Sequence, residues 1–574
     1  MNIFNTYLKK IKSSVLKNQK ELSIKNVDNF KGIVVESPPL EFNFDLSSNV
    51  SLILAKKNKM NPKMLAENIK LIILKDIKSI ERIEVAGPGF LNIKLSNETK
   101  KLSILEIFKS GKEYGSSKGG KSYNIEFVSA NPTGPMHVGH CRGAIYGDVL
   151  SNLLKFNKNL VTKEYYINDY GEQIKNFVKS VYLRIREIKN NEVFVDQTNL
   201  YPGEYIVQIA KQIIEEFPDK KFEDFDNIFD FLSEKSLEHS MNLINSDLER
   251  LGIKHDNFFS EKELIRKKLV DKAIKHLCDN KLAEEGFLDP PKGEDIKNWK
   301  KIKRLIFKST QYGDDTNRAL QKNDGSWTYF ANDIGYHSDK ISRKYDVLIN
   351  VLGADHTGYI KRIKSAVKAL SNDSINLECR VCQLVKLFKN GKPFKMSKRA
   401  GDFISASDLL NEVNKDSIRF MMLNRSNDVE LDFDFDKVLE KSKDNPVFYV
   451  QYCYARISSL LRILNTKLDD PIIFETNKFE LNDYENKLLR KLFDWPKIVD
   501  TASKKYEPHR IPFYLYELAT LFHAYWSKGN ENENFKFMSN NKIKNLNTLA
   551  IIKILGIVIE NGMNILGVSL PKKM

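Results

Sequence analysis

The sequence predicts an α/β protein built on a doubly wound parallel sheet, with a small α+β unit before it and an all-helical unit after it. Three observations carry that prediction. Strand-like runs alternate with helical patterns through the middle of the chain, one of those runs is apolar almost without a break, and from Asn445 onward strand patterns cease. At 574 residues the chain is also too long for one ordinary core.

Up to about residue 110 helical stretches surround one clear strand signal, EVAGPGFLNIKLS. There the turn residues Ala86-Gly87-Pro88-Gly89 precede an alternation of Phe90, Asn92 and Lys94 with Leu91, Ile93 and Leu95. Residues 1–112 are therefore expected to form the α+β unit. The glycine- and serine-rich run EYGSSKGGKS, 113–122, is expected to link it to the central domain.

The central domain is expected over 123–444. YNIEFVSA is its first strand, and CRGAIYGDVLSNLLKF follows with Cys141, Ile145, Val149 and Leu153 at helical spacing. KEYYIN is a second strand. VLINVL, closed by Gly353, is apolar enough to be covered on both faces of a parallel sheet. Ligands in such folds sit at the carboxyl ends of the strands. Residues 175–310 are charged and helical in pattern without a comparable strand series, so they are expected to be an insertion. In 445–574, Asp444-Asn445-Pro446 is a helix start, and Val447, Val450, Tyr454, Ile457, Leu461 and Leu464 keep a three-four spacing that predicts a helical bundle.

Lys+Arg 91 against Asp+Glu 75 gives a net charge of +16, which suits a polyanion such as nucleic acid; a chain rich in Lys, Asn and Ile throughout can also carry that excess through AT-rich coding alone. Five cysteines, at 141, 278, 379, 382 and 453, are too few for a disulfide framework, and the Cys379/Cys382 pair has no second CxxC to complete a zinc site. The amino terminus lacks a compact apolar signal region, and the apolar tail is interrupted by Lys553, Glu560 and Asn561. A soluble, cytoplasmic protein without a structural metal is expected.

Two stretches carry the chemistry. In ANPTGPMHVGH, between the first strand and its helix, Pro132 and Pro135 stiffen the loop while Gly134 and Gly139 leave room for a flat ligand. His137 and His140, at i and i+3 beside the unpaired N–H groups of a helix start, suit a phosphate; the same residues could simply cap the helix. In LVKLFKNGKPFKMSKR, alternation runs to the hairpin turn Asn390-Gly391, after which Lys395, Lys398 and Arg399 crowd a short basic loop. Such a loop suits a leaving group that gains negative charge; alone, it would also pass for a solvated turn.

HVGH at 137–140 and KMSK at 395–398, in that order, resemble the paired signatures of class I aminoacyl-tRNA synthetases. The segments EFVSANPTGPMHVGHCRGA, EYYINDYGEQI, YPGEYI, WTYFANDIGYH, LGADHTGYI, KMSKRAGDFI, NPVFYVQYCYARI and GVSLPKKM resemble the arginyl members over nearly the full length. The resemblance implies a Rossmann-type catalytic domain and an ATP site formed by His137, Gly139, His140, Gly353, Lys395, Met396, Ser397 and Lys398. Of these, His137, His140, Lys395 and Lys398 would act catalytically as the amino-acid carboxylate attacks the α-phosphate. It also implies that Glu126, Asn131, Tyr329 and Asp333 hold arginine. His356 stands in LGADH where some relatives carry Gln near the substrate amino group. Tyr329 and Asp333, four apart, could share a helical face, and a carboxylate is the bidentate partner of a guanidinium. By the same resemblance the partners are ATP with Mg2+ as counter-ion, L-arginine and tRNA(Arg), the latter met by both flanking domains. The enzyme would be a monomer with no membrane partner, and its activation step would wait for bound tRNA. Two other readings remain open on the residues alone: a class I synthetase for another amino acid, and a non-catalytic RNA-binding paralogue.

Overall fold

The structure is a computed structural model that describes residues 2–25, 30–195, 199–288, 302–394, 404–475 and 479–574. The KMSK stretch lies outside the described residues. The chain divides into two compact units: Lys118–Glu440 with Glu507–His509, and Met1–Ser117 with Lys441–Tyr506 and Arg510–Met574.

The first of these units holds a five-stranded sheet, parallel throughout, in the order Asn376–Cys382, Val347–Gly353, Ser122–Glu126, Leu160–Ile167, Asn257–Ser260. The strand beginning at Val347 is buried along its first five residues, as its unbroken apolar run requires. After Ser122–Glu126 the chain winds outward through Leu160–Ile167 to Asn257–Ser260, then returns to the other side of the first strand with Val347–Gly353 and Asn376–Cys382. The winding therefore reverses between Glu126 and Gly353. A crevice opens at such a switch point, beyond the carboxyl ends of the two strands, because their following loops diverge to opposite faces.

The insertion differs from its expected form. Helices Glu172–Asn190, Glu204–Glu216 and Phe225–Arg250 do bury a core of their own around Phe177, Val181, Ile206, Ile213 and Leu232. Residues 175–310, however, are not strand-free. Asn257–Ser260 is the edge strand of the main sheet, and Ala283–Gly286 and Arg304–Phe307 pair antiparallel, with Arg318–Ala319 alongside. Four-residue strands are too short to establish a period of two in the sequence, and only their partners define them.

In the second unit, Val35–Glu36, Leu46–Ser48, Phe90–Leu95 and Ile80–Ala86 form an antiparallel sheet in that order. Its hairpin turns at Gly87 (φ +53°) and Gly89 (φ +137°), where the AGPG turn was expected. The helix Pro446–Ile463 begins at Asn445, whose side chain accepts from the Phe448 amide, and it joins Asp483–Lys505, Arg510–Glu531 and Leu546–Leu566 in a bundle. The two flanking domains of the sequence are one packed unit. Trp495, fully buried in the bundle, donates from Nε1 to the Tyr114 carbonyl at 2.8 Å, and Arg490 donates to the Phe44 and Leu40 carbonyls. Leu546–Leu566 is long and apolar enough to cross a membrane, yet 83% of its most apolar window is buried inside this unit. Its interrupting polar residues are satisfied there: Lys553 donates to the Asp470 carbonyl, Asn561 to the Gly111 carbonyl, and Glu560 accepts from Tyr454.

Candidate active site

At the switch point two cavities, about 190 and 540 Å³, share Val128, Ser129, Tyr166, Gly353 and His356. Their common wall begins where the first strand ends. Val128 (φ +71°) and Ser129 (φ +41°) adopt left-handed backbone, uncommon for a β-branched residue and costing on the order of 1–3 kcal/mol. The turn brings Ser129 Oγ to Glu126 Oε1 at 3.3 Å and lets it accept from the Tyr166 amide at 3.1 Å. Backbone strain thus closes the wall between two neighbouring strands.

The smaller cavity is carboxylate-rich. Glu126 is paired with Lys340, whose side chain is fully buried and also donates to Asn350 Oδ1 at 3.2 Å. Asn350 in turn donates to His337 Nε2 at 3.0 Å, and the other His337 nitrogen donates to the Asp333 carbonyl at 2.9 Å. Burial holds His337 neutral, lowering its pKa to about 3. Asp333 has no such cation: its side chain accepts from the Tyr359 hydroxyl, and among the described residues no salt bridge reaches it. Burial pushes its carboxyl up to about 6, with the nearby Glu126 charge adding to the rise, although the Tyr359 hydrogen bond opposes it. The pocket therefore presents one carboxylate in a direct ion pair and one that, among the described residues, has none and feels Lys340 and Arg362 only at a distance.

The larger cavity is lined by Asn131, His137, Gly139, His140, Tyr329 and His356, among others. His137 precedes the helix Val138–Phe156, and His140 Nδ1 reaches back to accept from the His137 amide at 3.2 Å. The rings stack with centroids 3.7 Å apart. The capping and ligand readings of HVGH thus coexist, because the pair that caps the helix also faces the cavity. A Cβ on Gly139 would stand 2.9 Å from His137 Cε1, and one on Gly353 would stand 2.6 Å from Asp355 Oδ1, so both glycines keep space for side chains of the wall. Burial lowers both imidazole pKa values, that of His140 to about 3 with the His137 charge contributing. Neutral imidazoles can donate and accept but bring no charge to a triphosphate. The fixed positive potential here is that of the helix N-terminus.

Glu126, Asp333, Gly353 and His356 meet at the smaller cavity, and Asn131, His137, Gly139, His140 and Tyr329 line the larger. Tyr329 departs from the expected convergence with Asp333. It is the first residue of helix Tyr329–Ser342, 72% exposed, with Lys322 over its ring, and the phenol bonded to Asp333 belongs to Tyr359 instead. The two side chains part: Tyr329 lines the larger cavity at the surface, whereas Asp333 sits in the wall of the smaller one. His356 is also largely exposed, 3.4 Å from Asp355. Sequence reasoning passed over Tyr166, His337, Lys340, Asn350 and Tyr359. Asp333, His337 and Lys340 at i, i+4 and i+7 were a readable signal of one polar face; Tyr359 and Asn350 come from other elements and carried none.

A parallel sheet whose switch-point crevice holds HVGH at a helix start defines a class I aminoacyl-tRNA synthetase. The family model for the catalytic domain of class I (R) tRNA synthetases matches residues 103–457. Residues 7–95 match the arginyl tRNA synthetase N terminal domain, and 450–574 the DALR anticodon binding domain. Arginine–tRNA ligases from Pelagibacter ubique and Bartonella bacilliformis are 51% and 43% identical to the chain, each over the full length of both proteins. The chain belongs to the arginyl-tRNA synthetase family. Thermus thermophilus arginyl-tRNA synthetase has the same fold, with a TM-score of 0.70 over 99% of this chain and 100% of that one at 18% identity.

Proposed function

We propose that the smaller cavity selects L-arginine through Asp333, and that the larger one holds ATP against the HVGH helix start. The activity is arginine–tRNA ligation. The arginine carboxylate attacks the α-phosphorus of ATP, forming the acyl-phosphate bond of arginyl-adenylate as the bond to the departing pyrophosphate breaks. A hydroxyl of the 3′-terminal adenosine of tRNA(Arg) then attacks the carbonyl carbon and AMP leaves. The observation that carries the substrate assignment is the carboxylate of Asp333, set in the cavity wall with a hydroxyl as its bonded partner and, among the described residues, no salt bridge, Lys340 and Arg362 acting only from further off. A guanidinium supplies the missing charge and two parallel donors, whereas a neutral side chain would leave the carboxylate unpaired. Glu126 contributes less, since Lys340 already neutralises it.

At the nucleotide end the neutral histidines support hydrogen bonding to phosphate oxygens, and the helix N-terminus supports their charge. The charge that develops on pyrophosphate calls for cations, a role proposed for Lys395 and Lys398, with Met396 and Ser397 beside the nucleotide. Asn131, Tyr329 and His356 are proposed to meet the amino-acid backbone or the opening between the cavities. Mg2+ is proposed to enter as the counter-ion of the triphosphate. The enzyme is further proposed to work in the cytoplasm as a monomer, with no membrane partner, and with domain boundaries at 112, 122 and 444. Aminoacylation of total tRNA with a panel of amino acids tests the reading: arginine alone should charge, and equal charging by lysine would overturn the role given to Asp333. Pyrophosphate exchange with and without tRNA tests whether activation waits for its acceptor.

A further inference from the structure

The HVGH stretch meets the chain that begins at residue 404 at a short backbone bridge. The Val138 amide donates to the Ile404 carbonyl at 3.0 Å, the Ala406 amide donates to the Met136 carbonyl at 2.8 Å, and His137 pairs antiparallel with Ser405 between them. One side of the bridge is the approach to His137 and His140; the other is the chain immediately after the 395–403 segment. Two such bonds do not orient a bridge rigidly, so something else must.

That support comes from the last turn of the insertion helix Phe225–Arg250. Asp247, 4% exposed, has its carboxyl beside the backbone amide of Met136, on the histidine side. Arg250, the last residue of the helix, donates from Nη1 to Ser407 Oγ and from Nη2 to Asn411 Oδ1, each at 2.7 Å, on the other side. Ser407 and Asn411 are i and i+4 on the helix Ala406–Glu412, whose start is closed by the reciprocal bonds of Ser405 and Asp408. The helix end is itself anchored, because Arg419 donates to the Leu251 carbonyl and to Asp148 of the helix that carries HVGH. A planar fork that reaches two side chains at once fixes direction as well as distance.

We propose that Asp247 and Arg250 are positioning residues for the activation step, holding the two sides of the Met136–Val138/Ile404–Ala406 bridge in the register that the reaction requires. The insertion is then part of the catalytic geometry. This inference rests on the synthetase reading of the site. Neither residue lines either cavity, so both act through the backbone they hold.

The test compares Arg250→Met, Arg250→Lys, Asp247→Leu and Asp247→Asn in arginine-dependent pyrophosphate exchange with tRNA present, together with Tm. Arg250→Met and Asp247→Leu should lower kcat about tenfold to a hundredfold while the arginine KM moves by less than about twofold. Asp247→Asn keeps an acceptor for the Met136 amide and should stay within about threefold of the unaltered enzyme; Arg250→Lys, reaching only one of two partners, should fall between. If Asp247→Leu fails to fold, the pair of variants at the exposed Arg250 decides. Unchanged kcat in Arg250→Met, or an arginine KM that rises in step with the loss, overturns the proposal. Absence of arginine-dependent exchange in the unaltered enzyme would instead overturn the function on which it rests.

Discussion

The two cavities that share Tyr166, Gly353 and His356 solve opposite electrostatic problems. The smaller one concentrates negative charge before its ligand arrives: Glu126 is offset by Lys340, while Asp333 is left with a hydroxyl. The larger one sets two neutral imidazoles against a helix start, with Asp355 and Glu172 in its lining and, among the described residues, no lysine or arginine. The difference reflects what each ligand does. A guanidinium keeps the same charge through the reaction, so a standing carboxylate binds it equally in ground and transition states. A triphosphate gains charge on its leaving group, so cations that engage late are worth more than cations that bind early.

That contrast can be broken by mutation, and the largest effects are expected at the nucleotide end. His140→Ala and Lys398→Ala should each lower the activation rate by about 100- to 1,000-fold, the usual loss for one preorganised group at a developing charge. Single-turnover adenylate formation against ATP titration checks this, and equal losses in rate and ATP affinity would make both residues simple ground-state binders. At the other end, Asp333→Asn removes a charge-assisted pair worth about 1.5–3 kcal/mol and should lower kcat/KM for arginine by roughly 10- to 150-fold. The ATP KM should stay near that of the unaltered enzyme.

The same carboxylate predicts a pH profile. In the empty pocket Asp333 is raised to about 6, and pairing with guanidinium holds it ionised, so arginine binding should release a proton below that value. Calorimetric affinity for arginine should be flat above pH about 6 and fall by up to tenfold per unit below it, with Asp333→Asn abolishing the slope. Stability runs the other way. Because the folded-state value lies above the ordinary one, this group's contribution to the empty enzyme is full below about 4 and is lost as pH rises through about 6. Asp333→Asn should therefore raise the Tm of the empty enzyme at neutral pH while it impairs arginine use; a lowered Tm would mean that the carboxylate is structural. The smallest effect is expected from Tyr359→Phe, about two- to tenfold in arginine KM, since one hydroxyl donor to a carboxylate is lost and the charge remains.

Local chemistry determined a good deal of this protein in its sequence. The apolar run at Val347, the AGPG turn, the Asn445-Pro446 helix start and the two signature stretches were legible because each depends on residues within one turn or one strand. Helical periodicity likewise announced the bundle, and Asp333 stood out as a carboxylate one turn into a helix. Pairings across the fold were not legible. Tyr359 rather than Tyr329 meets Asp333, and Lys340 rather than any neighbour in sequence neutralises Glu126. Asn257–Ser260 becomes a strand only because Glu164–Ile167 offers it a partner, and the flanking domains form one unit through long-range contacts such as those of Trp495 and Arg490 with carbonyls near residue 40 and at Tyr114. The reason is physical: propensity and periodicity act over a few residues, whereas desolvation and charge pairing depend on which groups are brought together, and that is set by the winding of the sheet.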